Sequence, residues 1–120
     1  MKYLCLIYHA EAVINALSSE EYTDVVARSL AYVEELRVNG NHVDANALAS
    51  VRTATTLRFG GSMVAATDGP FAETREQLGG YYLIEARDLN DAIRLASRIP
   101  SARYGGVEIR PIHDLLSGER

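Results

Sequence analysis

Tyr3-Leu4-Cys5-Leu6-Ile7-Tyr8 is apolar or aromatic at every position. Side chains of a strand alternate between two faces, so Tyr3, Cys5 and Ile7 share one face and Leu4, Leu6 and Tyr8 the other. A strand with one solvated face carries polar residues at alternate positions. This one predicts burial on both sides. It belongs at the centre of a sheet, and the remaining chain has to supply cover above and below it.

The cover is legible as two amphipathic helices. Ser18 offers an N-cap and Glu21 follows three positions on, the pattern of a capping box. The helix it opens runs to about Asn39, with Gly40 suited to the position just past its end. Tyr22, Val25, Val26, Ser29, Leu30, Val33 and Leu36 recur on one helical face. Asp88 caps a second helix whose apolar face is Leu89, Ala92, Ile93, Ala96 and Ile99, and Pro100 marks its end. The further strands are His42–Leu48, Thr53–Phe59, Ser62–Thr67, Tyr81–Ala86 and Val107–Ile112. Gly60-Gly61 reads as a two-residue hairpin connection. Residues 115–120 read as a loose tail.

The order is strand, helix, strand, hairpin, strand, helix, strand. It fits an α+β, ferredoxin-like sandwich with an inserted β-hairpin, a single domain over residues 1–120. Both helices of such a sandwich lie on one side of the sheet. The other apolar face of the first strand then lacks cover within the chain, and a homodimer built on that face is the expectation.

Composition narrows the partners. Net charge is −4, which disfavours the nucleic-acid backbone. Cys5 is the single cysteine, so no internal disulfide forms. No signal peptide is evident, and no apolar run approaches the roughly 20 residues of a membrane helix. The expectation is a soluble, cytoplasmic protein without a membrane partner. Gly60-Gly61, Gly79-Gly80 and Gly105-Gly106 form neither a dinucleotide fingerprint nor a phosphate loop, so all three read as turns and no cofactor is called for. His9, His42 and His113 lack metal-ligand spacing, and no metal is expected.

Asp68-Gly69-Pro70 reads as a rigid corner, since Gly69 accepts backbone angles closed to other residues and Pro70 fixes its own φ. Beyond it come Glu73, Arg75 and Glu76, and then Gly79-Gly80 before Tyr81-Tyr82. Asp68 either hydrogen-bonds the backbone of its own turn or faces a ligand. In the second case Asp68 is the candidate acid–base residue and Arg75 a carboxylate clamp, beside a cleft walled by Tyr82. His9, closing the first strand, is either a ligand-facing base or an ordinary surface histidine. Tyr3, Tyr8, Tyr81 and Tyr82 suit a pocket wall, a core or a dimer seam equally. Arg94 and Arg98, four apart, read as a solvated helix face.

The run D-G-P-F-A-E-T-R-E-Q-L-G-G-Y-Y-L-I-E at Asp68–Glu85 resembles the signature of the DGPF, or YCII-related, family. The similarity extends to Lys2–Tyr8, Glu34-Glu35-Leu36, Ala54-Thr55-Thr56, Ile99-Pro100, Ala102-Arg103-Tyr104-Gly105 and Val107–Pro111. The resemblance implies a ferredoxin-like fold that dimerises as an α/β barrel, and no established reaction. Broader relatives carry a proposed His–Asp pair whose histidine lies on the first helix. This chain has no histidine between Ser18 and Asn39, so the pair is not carried over, and Asp68 alone is matched to an acidic site residue. Related proteins include a lactone dehalogenase-type activity, and some accompany alternative sigma factors. Two functions follow as expectations. One is binding or converting a small, partly apolar molecule in a pocket of a homodimeric barrel. The other is a non-catalytic regulatory or accessory role linked to sigma-factor regulation.

Overall fold

A computed structural model describes residues 1–120. Strand β1 (Lys2–His9) leads through a short helix α1 (Glu11–Asn15) into the long helix α2 (Ser19–Val38). The chain continues as β2 (His42–Ala47), the hairpin β3 (Thr55–Gly60) and β4 (Met63–Asp68), β5 (Gln77–Glu85), helix α3 (Leu89–Ala96) and β6 (Gly105–Pro111). One sheet has the order β2-β5-β1-β6 with every neighbour antiparallel, and β3-β4 forms a separate two-stranded sheet. With the hairpin set aside, this is the strand order of the ferredoxin-like α+β sandwich, with β1 and β5 central. The sheet is open, and no barrel closes within one chain. No helix is long and apolar enough to cross a membrane.

The helix ends follow from the sequence. Ser18 Oγ accepts from the Glu21 amide at 3.1 Å and the Glu21 carboxylate accepts from the Ser18 amide at 3.0 Å, completing the capping box. At the other end Gly40 takes φ +78°, and the Asn41 and Gly40 amides donate to the carbonyls of Leu36 and Arg37. That paired closure is a Schellman motif, which needs a residue at ease with positive φ.

The core lies between the helices and one sheet face. Tyr3, Cys5 and Ile7 of β1, Tyr82 and Ile84 of β5, Tyr32 and Leu36 of α2, and Ala92, Leu95 and Ala96 of α3 form it. The opposite sheet face carries Leu4, Leu6, Tyr8, Leu78, Tyr81 and Leu83, all only partly buried in the single chain. The four tyrosines are therefore split: Tyr3 and Tyr82 face the helices, Tyr8 and Tyr81 the open side. Tyr81 donates to Asp44 at 2.6 Å and accepts from Nδ2 of the Asn46 side chain at 2.9 Å.

Several expectations shift. The stripe of α2 that packs on the sheet is Val25, Tyr32 and Leu36, whereas Leu30 is 67% exposed. Tyr22, Val26 and Leu30 lie on a flank, because the apolar surface of α2 is wider than the part the sheet covers. On α3 Leu95 is buried while Leu89 and Ile93 are exposed. Arg94 and Arg98 are exposed, as a solvated face requires, but both are paired. Arg94 pairs with buried Asp91 at 2.8 Å, and Arg98 forms a two-pronged pair with Glu35 of α2 while lying over the Tyr32 ring. The hairpin turn is Gly61-Ser62, one residue later than expected, with φ +60° at Gly61. Gly79-Gly80 and Gly105-Gly106 are strand residues rather than turns. The reason is close approach: a Cβ on Gly105 would lie 1.9 Å from the Tyr8 carbonyl oxygen, and one on Gly80 would lie 2.9 Å from that of Asn46.

Candidate functional site

A groove of about 310 Å³ opens between α2 and the β2–β5 side of the sheet. Its helix wall is Leu17, Tyr22, Val26, Leu30 and Val33; its sheet wall is Ala45, Ala47, Leu48 and Tyr82. Tyr22, Val26 and Leu30, the apolar residues of α2 that the sheet leaves uncovered, thus belong to this wall, beside Leu17 from the preceding turn and partly buried Val33. Apolar walls with few polar groups are the usual construction of a small-molecule site.

His9 and Gly79 lie at the polar end. The β1–β5 register shifts between Ile7 and Tyr8, so Gly79 is the extra residue of a bulge. A Cβ on Gly79 would fall 2.4 Å from Nε2 of His9, so the missing side chain is what seats the imidazole there. Nδ1 of His9 is buried without a hydrogen-bond partner in the chain, as is Nδ1 of His42, which lines neither hollow. Tyr82 is 6% exposed, and burial pushes its phenol above the ordinary value, with Ser29 opposing the shift. It therefore stays neutral near pH 7.

A second, more polar hollow of about 530 Å³ adjoins the groove and shares His9, Ile14, Leu17, Tyr22, Leu48 and Gly79 with it. Its floor is pinned by Glu11, which accepts from the Val51 amide at 2.7 Å and from Ser50 Oγ at 2.9 Å. Those two hydrogen bonds, the amide's foremost, hold the Glu11 carboxyl below its usual range. Gln77 locks the same corner, accepting from the Glu11 amide at 2.9 Å and donating to the Thr74 carbonyl at 2.8 Å.

Of the four residues singled out in the sequence, His9 and Tyr82 line the groove. Asp68 and Arg75 do not. Asp68 ends β4 opposite Thr55, exposed, with its carboxylate unbonded. Its corner is tied instead by Thr56 Oγ1, donating to the Gly69 carbonyl at 2.8 Å, and by the Gly69 amide, donating to that of Ala54. Gly69 does take positive φ, +106°. Arg75 is exposed in the loop beyond. Phe71 folds back under Arg58, whose guanidinium lies 4.1 Å from the ring centre. The sequence reading missed Gly79, Glu11, Arg52 and the α2 flank. Only a glycine pair at the head of an apolar strand hinted at the first.

Comparison with known proteins places the sequence in a family. An uncharacterized protein of Rhizobium meliloti (strain 1021) is 37% identical over 122 residues, spanning 99% of this chain and 98% of the relative. The YCII-related domain matches residues 1–116. The chain belongs to the YCII-related domain family.

Proposed function

We propose that the protein binds a small, partly apolar molecule in the groove between α2 and the sheet. The observation that carries this is the apolar groove itself, with the His9 ring seated against Gly79 at the end the groove shares with the polar hollow. A ligand's polar end would lie beside the His9 ring at that junction while its apolar body lies along Val26, Leu30 and Val33. Tyr82 supplies a neutral hydroxyl to the same wall. His9 and Tyr22 are the side chains with polar atoms that line both hollows. A homodimer built on the open sheet face belongs to this reading. Asp68 and Arg75 lie outside the groove of their own chain, so the acid–base and clamping roles expected of them require delivery by a second copy.

The test is a thermal-shift panel of small molecules with an apolar body and one polar group. A molecule bound to the native state at a hundred times its Kd stabilises by about 2.7 kcal/mol. Val26→Asp places a charge on the groove wall at a residue already 40% exposed, so the fold should persist and the stabilisation disappear. Stabilisation that survives Val26→Asp, or that no molecule produces, counts against the groove.

A further inference from the structure

Resting on that reading, we infer that the ligand is an amphiphilic monocarboxylate, with its head in the polar hollow at Arg52 and its tail in the apolar groove. The two hollows are one trough, since they share the His9–Gly79 junction and the Leu17–Tyr22–Leu48 rim. The inner part is mostly hydrophobic; the outer part is lined chiefly by polar residues, among them Ser18, Ser50 and Arg52. A molecule that fills both is therefore apolar at one end and polar at the other.

The sign of its head follows from which charges are engaged. The hollow holds two charged side chains, Glu11 and Arg52. Glu11 is committed to the Val51 amide and the Ser50 hydroxyl, so its carboxylate fixes the turn at residues 50–53. Arg52 sits on that turn, and its guanidinium makes no ion pair or hydrogen bond with any other residue of the chain. The fork geometry of an arginine matches a carboxylate with two parallel hydrogen bonds. One cation beside a standing carboxylate favours a single negative charge over a doubly charged phosphate. Between head and tail, the His9 ring lines both hollows at the point where the ligand passes from polar to apolar surroundings.

Calorimetric titration with decanoate, decanol and decylammonium on the whole protein tests this. Decanoate should bind about tenfold or more tighter than decanol, the effect of one charge-assisted contact. Arg52→Ala should erase that preference while leaving decanol binding unchanged, and added salt should weaken decanoate alone. Equal binding of decanoate and decanol to the unaltered protein, or a preference for decylammonium, overturns the headgroup assignment and leaves the groove reading intact. Failure of all three to bind overturns both. A preference for decanoate that survives Arg52→Ala overturns the role of Arg52.

Discussion

Two glycines that look alike in the sequence have opposite consequences. A methyl group on Gly105 would meet the Tyr8 carbonyl oxygen at 1.9 Å and the His9 Cα at 2.8 Å, both backbone atoms of the central strand. Neither can move without parting β1 from β6, so Gly105→Ala should destabilise by about 2 kcal/mol or more in denaturant melts. On Gly79 the same methyl meets only the tip of the His9 ring. A side chain can swing away, so Gly79→Ala should melt within about 1 kcal/mol of the unaltered protein. It should nonetheless weaken ligand binding in the groove, because the imidazole has left its seat. A pair of adjacent glycines reads equally as a turn or as a place where strands or side chains crowd. Only the partner decides, and the partners of Gly79 and Gly105 lie some 70 and 97 residues away along the chain. Asp68 shows the converse. The corner it opens is legible from Gly69 and Pro70, but the bond that ties it comes from Thr56, across the hairpin.

Where each element begins and ends is largely local, and so the caps of α2 and α3 are legible: Ser18 with Glu21, Gly40, and Asp88 accepting from the Asp91 amide at 2.8 Å. Which flank of a helix is buried depends on docking, which periodicity alone does not supply. Tyr32 donates to the Leu95 carbonyl at 2.5 Å, and the Glu35–Arg98 pair joins α2 to the turn just past α3 beside it. Those contacts turn Val26 and Leu30 toward the groove. The docked helix α3 also buries Asp91, which accepts from the Arg87 amide and from the guanidinium groups of Arg94 and Arg87. These bonds, the amide's foremost, hold its carboxyl far below the usual range. A depressed folded pKa gives stability that is present above the unfolded value of about 3.9 and lost as pH falls through and below it. Asp91→Asn should therefore lower stability at pH 7. The gap from the unaltered protein should narrow in melts taken progressively below about pH 4. A gap independent of pH would show that Asp91 acts through shape rather than charge.

The whole chain is wider than its length requires. Its radius of gyration is 16.4 Å and its extents 46 × 46 × 19 Å, where a compact chain of this size has a radius near ~14 Å. The β3–β4 hairpin accounts for part of this, standing as its own sheet with Leu57, Phe59, Met63 and Val64 each more than half exposed. An isolated two-stranded hairpin is marginal in water unless it packs on something. The open sheet face poses the same problem with Leu4, Leu6, Tyr8 and Leu83. Folded monomers rarely expose apolar patches beyond about 300–600 Å². A second copy related by a two-fold axis presents the same surfaces in return, so one symmetric contact covers both faces at once. Light scattering behind a sizing column should therefore give twice the chain mass at micromolar concentration. Leu6→Lys is the sharper probe. Leu6 faces away from the core of its own chain, so the helical signal and folding cooperativity should survive the substitution. Across a dimer seam the lysine becomes a buried, unpaired charge, and the variant should elute as a monomer. A monomeric unaltered protein would mean that the sheet face is left to solvent and that nothing brings Asp68 or Arg75 to a neighbouring groove.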